Sequence, residues 1–126
     1  MRAADTNLLI RLVTRDDRKQ TEAAEAFAAK GAWVSHVVLA EVVWVLEAVY
    51  DLKPPQIAMA VDMLIEHEHL TIQDVDVVEA ALKAFRGRPS VGFSDCLVLA
   101  IARKAGHLPL GTFDRHLSKL DGAELV

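Results

Sequence analysis

Residues 2–14 of the chain, RAADTNLLIRLVT, place a predicted strand directly before a predicted helix. The strand spans Arg2 to Asp5 and is expected to be buried, and apolar residues at helical spacing predict a helix from Thr6 to Thr14. Parallel strands need long crossover connections, which are usually helices. A strand followed by a helix therefore indicates α/β architecture, provided that the same order repeats along the chain.

The same order repeats on the C-terminal side of this stretch, where Gly31 ends one predicted helix and Ser35 caps the next. Further helices are predicted at Thr21–Lys30, Ser35–Tyr50, after Pro54–Pro55, from Asp74 or Asp76 to Phe85, and at Ser94–Ala105. Further strands are predicted at Ala32–Val34, Thr71–Ile72, Leu108–Leu110 and Glu124–Val126, with a loop at Arg86–Gly92. We expect an α/β fold in which a short, mostly parallel β-sheet of four to five strands is flanked by helices on both faces.

Length and composition favour one compact domain over residues 1–126. The chain is 52% hydrophobic and 25% charged, unlike a disordered protein. With Cys96 as the single cysteine no intrachain disulfide can form, and with no targeting or membrane segment we expect a cytoplasmic protein. The net charge of -4 disfavours nucleic-acid binding unless metal ions neutralise some carboxylates.

Four acidic residues stand out because their neighbours are apolar or because they follow a predicted strand. Asp5 sits at the end of the first predicted strand, Asp114 comes just after a later one, and Asp95 lies in the first turn of an apolar helix. Glu41 is the only charged residue between His36 and Glu47, in a helix that we expect to be largely buried. An ionised Glu in such a place is costly unless something pairs with it.

These four acids are predicted to converge, because ligands collect beyond the carboxyl ends of the strands in such sheets. Two carboxylates about 4 Å apart repel by roughly 4 kcal/mol at an effective dielectric near 20, so a cluster needs protons or cations. Hard oxygen ligands select Mg²⁺ or Mn²⁺. For any one aspartate, helix capping is an equally good explanation, and Glu41 could instead pair with a buried Arg or His.

The acidic residues lie in four short motifs that together resemble the PIN-domain nucleases, and among them the VapC-type toxins of bacterial and archaeal toxin–antitoxin pairs. The motifs are Ala4–Leu9, Ser35–Leu46, Phe93–Ala100 and Gly111–Arg115, in the order of the family. The resemblance spans nearly the whole chain. It implies a PIN-like fold, a Mg²⁺- or Mn²⁺-dependent endoribonuclease acting on an RNA substrate, a homodimer, and inhibition by a cognate antitoxin protein.

The resemblance also implies roles for the acids, as catalytic residues and metal ligands. We expect Asp5, Asp95 and Asp114 to hold one metal, and Glu41 with Asp95 to recruit a second. The bound metal would lower the pKa of a water and so supply hydroxide for in-line attack on phosphorus. The products would carry 5′-phosphate and 3′-hydroxyl ends.

Other residues are candidates for supporting roles. Asn7, Ser94 and Thr112 could orient the carboxylates through hydrogen bonds, although ordinary helix capping explains them equally well. His67 and His69 lack further zinc ligands nearby and are interpreted as surface histidines. Phosphate contacts are considered for Arg11, Arg15, Arg86, Arg88 and Arg115, although a solvated surface charge explains any single one.

Two alternatives remain open at this point, and a third is disfavoured. The chain could be a PIN nuclease acting on structured DNA or in RNA maturation outside a toxin pair, or a non-catalytic interaction domain with the same fold. A phosphatase with an aspartyl nucleophile would want Asp-x-Asp after the first strand, where this chain has Asn7. The apolar helices also leave room for a dimer or antitoxin groove, to which Trp44 could belong.

Overall fold

The computed structural model describes all 126 residues, which divide into two compact units, Met1–Val75 and Asp76–Val126. The N-terminal unit contains β1 (Arg2–Ala3), α1 (Thr6–Thr14), α2 (Arg18–Ala28), β2 (Ala32–Val34), α3 (His36–Ala48), α4 (Pro54–Glu66) and β3 (Leu70–Ile72). The C-terminal unit contains α5 (Val75–Gly87, whose first residue belongs to the other unit), α6 (Phe93–Ala105), β4 (Leu110–Thr112) and β5 (Ala123–Leu125). Short 3₁₀ helices lie at Pro89–Val91 and Leu117–Lys119.

The strands of the N-terminal unit form a three-stranded parallel sheet in the order β1-β2-β3. In β2 the exposed Trp33 stands between two buried residues, and in β3 Thr71 does the same. This alternation gives the sheet a buried face. The prediction of a buried first strand over Arg2–Asp5 was wrong, because β1 has only two residues, both exposed, and Ala4 is the buried residue.

Local capping explains where the helices of this unit begin. The prediction for α1 is confirmed at both ends, and Ser35 caps α3 as predicted, since its Oγ accepts from the backbone N–H of Val38 at 3.1 Å. Helix α2 begins at Arg18, earlier than predicted, because the Asp17 carboxylate accepts from the backbone N–H of Gln20 at 2.9 Å. Such a cap satisfies a donor that the first turn leaves unpaired.

In the C-terminal unit, β4 and β5 form a two-stranded parallel sheet. Gly92, at φ +88°, precedes α6, which therefore begins at Phe93 and not at Ser94. The predicted strand at Leu108–Leu110 was misplaced, since β4 spans Leu110–Thr112. Pro109 has no N–H to donate to a strand ladder, so regular pairing begins after it.

The α/β prediction is confirmed, and every strand pair is parallel. The expected single sheet of four to five strands was wrong, because each unit pairs only its own strands and the sheets have three and two strands. Sequence patterns of such short strands do not specify which neighbour each one takes. None of the helices is both long and apolar enough to cross a membrane.

Candidate active site

Asp5 lies where the first strand gives way to the first helix of the N-terminal unit. It is the N-cap of α1, and its Oδ1 accepts from the backbone N–H of Thr6 at 2.8 Å. The predicted capping role is therefore real. A carboxylate has two oxygens and can accept several bonds, so capping through Oδ1 leaves Oδ2 available to a cation.

Glu41 lies on the outer face of α3 and is exposed, so the prediction that it is buried was wrong. The side chains that α3 buries are Leu39, Val42, Val43 and Leu46. The side chains of this helix are mostly apolar on all of its sides. For that reason the sequence could not indicate which face is buried. The carboxylate is nevertheless held in place, because its Oε2 accepts from the Thr6 hydroxyl at 2.6 Å.

Thr6 joins the two acids of the N-terminal unit. Its backbone N–H bonds Asp5 and its side-chain hydroxyl bonds Glu41, while the residue itself is buried. Asp5 and Glu41 line one cleft of about 420 Å³, whose other lining residues are Thr6, Asn7, Trp44 and Val45. Sequence reasoning missed Thr6, although its place at the helix start beside Asp5 was the available signal.

The C-terminal unit holds a second pair of acids, Asp95 and Asp114. Asp95 is the third residue of α6 and is partly buried. Burial first, and the nearby charge of Asp114 second, raise the pKa of the Asp95 carboxyl. No hydrogen bond offsets these two effects. The ionised form of Asp95 is therefore disfavoured in the absence of a cation.

Asp114 is exposed and is held by backbone hydrogen bonds. Its Oδ1 accepts from the N–H groups of His116 at 2.8 Å and Leu117 at 3.0 Å, so it caps the turn that leads into the 3₁₀ helix at 117–119. Its own N–H donates to the hydroxyl of Thr112 at 3.0 Å. Thr112 thus positions Asp114 through the main chain.

The chemistry of these side chains suits a hard divalent cation, because each pair offers carboxylate oxygens and no nitrogen or sulfur ligand. No three His, Cys, Asp or Glu side chains of either unit are grouped to hold a metal ion. The raised pKa of Asp95, caused first by burial and second by Asp114, shows that no positive charge compensates this carboxylate.

The sequence profile of the PIN domain matches residues 3–123. The chain belongs to the PIN domain family. PIN domains are generally nucleases that act on RNA and typically use divalent metal ions. No curated protein matches the chain significantly.

The arginines considered for phosphate contact differ in their surroundings within this PIN domain. The Arg11 guanidinium donates to Gln20 at 2.6 Å, Asp16 at 3.0 Å and Tyr50 at 3.1 Å. Arg15 forms an ion pair with Glu25. The remaining candidates, Arg86, Arg88 and Arg115, are exposed. Arg11 and Arg15 would have to give up these partners in order to contact a phosphate.

The other predicted support residues also have defined places. Asn7 is exposed in the cleft of the N-terminal unit, whereas Ser94 lies in the first turn of α6, which has no side-chain cap. His67 accepts from the backbone N–H of His69 at 3.1 Å, which gives it a role in that turn. Cys96 is buried, and burial first and Asp95 second raise the pKa of its thiol to about 11. The thiol is therefore protonated at neutral pH and is a poor nucleophile.

Proposed function

We propose that this PIN domain is a Mg²⁺- or Mn²⁺-dependent endoribonuclease that hydrolyses RNA to 5′-phosphate and 3′-hydroxyl ends. Asp5, Glu41, Asp95 and Asp114 are its proposed metal-binding and catalytic residues. One observation carries the proposal: each unit of a PIN domain holds a pair of carboxylates, and in the C-terminal unit burial first and the charge of Asp114 second raise the pKa of Asp95. An ionised Asp95 beside Asp114 is costly without a cation, and a metal-dependent nuclease supplies a reason for keeping it.

The chain's own residues hold these acids ready for ion binding. Thr6 fixes both Asp5 and Glu41, and the start of a 3₁₀ helix fixes Asp114. When bound, a divalent ion supplies a Lewis acid and a water of lowered pKa. Hydrogen bonds that orient ligand carboxylates usually matter nearly as much as the ligands themselves, so Thr6 and Thr112 belong to the proposed site.

Purified full-length chain and labelled single-stranded RNA test the nuclease proposal. We expect cleavage with Mg²⁺ or Mn²⁺, none with excess chelator, and strong loss in D5N, E41Q, D95N and D114N. Asp51→Asn and Glu79→Gln are matched controls, since both remove an exposed carboxylate outside the two pairs. Wild-type rates in D95N, or cleavage that persists in chelator, would refute the assignment.

We further propose that the chain is the toxin of a type II toxin–antitoxin pair, acts in the cytoplasm as a homodimer, and is inhibited by a cognate antitoxin. The resemblance of the four motifs to VapC-type toxins supports this proposal. Induced expression should arrest growth, D95N should not, and co-expression of a small open reading frame upstream of the gene should restore growth. Growth unaffected by an active nuclease would instead favour a role in RNA maturation.

A further inference from the structure

Trp44 is a large aromatic side chain exposed in the cleft that contains Asp5 and Glu41. It is 67% exposed and lines this cleft directly. Tryptophan is highly buried on average in folded proteins, so such exposure is unusual. Its position beside two proposed catalytic acids points to a role in binding.

The geometry of α3 explains why Trp44 faces the cleft. Residues three apart on a helix share one face, which places Trp44 next to Glu41. Leu39, Val43 and Leu46 are buried on the other side of the helix and attach it to the core. The indole therefore contributes little to the core and is available to a ligand in the cleft.

The cleft is negatively charged, and this limits which parts of an RNA molecule can bind there. Its lining includes two carboxylates and neither Lys nor Arg, so these side chains repel a phosphate unless cations are bound. A nucleobase, in contrast, is uncharged and has a flat face. Unpaired bases commonly stack on aromatic side chains, whatever their sequence.

We infer that Trp44 stacks on an unpaired base of single-stranded RNA and so positions the adjoining phosphodiester at the Asp5–Glu41 pair. The inference rests on the proposed nuclease function and adds to it a residue that positions the substrate. Bases in duplex RNA are already stacked and paired, so a fully double-stranded substrate should be cleaved less well than a single strand of the same sequence.

Kinetics on a single-stranded oligoribonucleotide test this contact. W44A should lower kcat/KM by about 5-fold to 150-fold, the range of one base–aromatic stack, and W44F should retain most activity. The ratio of wild type to W44A should be the same at low and at physiological salt, because stacking is not an ionic contact. Met59→Ala is the control, since Met59 is 70% exposed on α4 outside the cleft.

An abasic substrate separates stacking from a structural effect of the substitution. Wild-type protein should lose the same factor on RNA that lacks the base beside the cleaved bond, and W44A should lose nothing further. Equal rates for wild type and W44A, or losses that multiply, would overturn the inference. W44A that cleaves normally but no longer self-associates or binds an antitoxin would also overturn it and assign Trp44 to a protein interface.

A binding measurement keeps the inference testable if the wild type does not cleave RNA, in which case the nuclease proposal fails. Trp33 and Trp44 are the only tryptophans, so W33F leaves Trp44 as the single fluorophore. Quenching of its emission by single-stranded RNA, in the presence of Mg²⁺, supports stacking. Unchanged emission at saturating RNA contradicts it.

Discussion

In the N-terminal unit, hydrogen bonds from Thr6 hold Asp5 and Glu41 at the edge of an open cleft, whereas in the C-terminal unit Asp95 is partly buried beside Asp114. The first pair is positioned by donors that satisfy it. In the second pair, Asp95 lacks a hydrogen bond and carries a raised pKa. A protein can thus prepare carboxylates for a cation either by orienting them or by withholding other partners.

The largest expected effect concerns activity, for which the two pairs should be equivalent. D5N and D95N should each lower kcat for RNA cleavage by at least about 100-fold, because each removes a proposed metal ligand. Asn caps a helix as well as Asp does, so D5N should keep its fold and its Tm. A D5N protein that folds normally and cleaves at the wild-type rate would show that Asp5 is only a cap.

Orientation can be tested separately from ligation at Thr6. T6A removes the hydroxyl that holds Glu41 and should reduce activity or Mg²⁺ affinity by about 10- to 100-fold, whereas T6S should restore most of it. T112A should have a smaller effect, because Thr112 contacts the backbone of Asp114 and not its carboxylate. Titration of Mg²⁺ against the cleavage rate measures both. Equal effects of T6A and T112A would show that a bond to the carboxylate matters no more than a bond to the backbone.

Stability should distinguish Asp95 from Asp5. The folded-state pKa of Asp95 is raised, so the folded chain binds this proton more tightly than the unfolded chain, and stability falls as pH rises from about 4 through the raised pKa. In metal-free protein, D95N should therefore melt at a higher temperature than wild type at neutral pH, and the difference should vanish in acid. Mg²⁺ should stabilise wild type more than D95N. Thermal melts in chelator that show no gain for D95N at neutral pH would contradict this account.

The smallest expected effect concerns Asp76 in the C-terminal unit, whose contribution to stability changes with pH in the opposite direction to that of Asp95. A hydrogen bond from Lys104 is the main cause that lowers the pKa of Asp76, so the stability it provides is present above the unfolded-state pKa and is lost as pH falls. Both side chains are largely exposed, and such pairs contribute little. D76N should lower the Tm only slightly at neutral pH and not at all in acid. A gain in Tm for D76N at neutral pH would contradict a stabilising role for Asp76.

Local signals predicted much of the fold from the sequence. The bounds of α1, the cap at Ser35 and the strand Ala32–Val34 are confirmed, because each depends on neighbouring residues. Strand pairing depends on residues far apart in the sequence, and the division of the strands into two sheets was missed. Sequence reasoning also placed Asp5 and Asp114 close to strand ends, and in the structure each lies two residues past the end of a strand.

The errors at the candidate site have one physical origin. Helix α3 is apolar around its whole circumference, so its composition predicted burial for Glu41 and gave no sign that Trp44 is exposed. Only packing against the rest of its unit decides which side of such a helix faces solvent. Thr6 was missed for a related reason, since its bond to Glu41 joins residues 35 positions apart.

The capping bond of Asp5 links the folding of α1 to the orientation of a carboxylate in the cleft. Because Oδ1 is engaged by the first turn of the helix, the rotamer of this carboxylate is selected when the helix forms, before any ion arrives. Fraying of that turn would release the side chain to many orientations. Substitutions that only loosen the beginning of α1 would then weaken ion binding from a distance, without altering a single ligand.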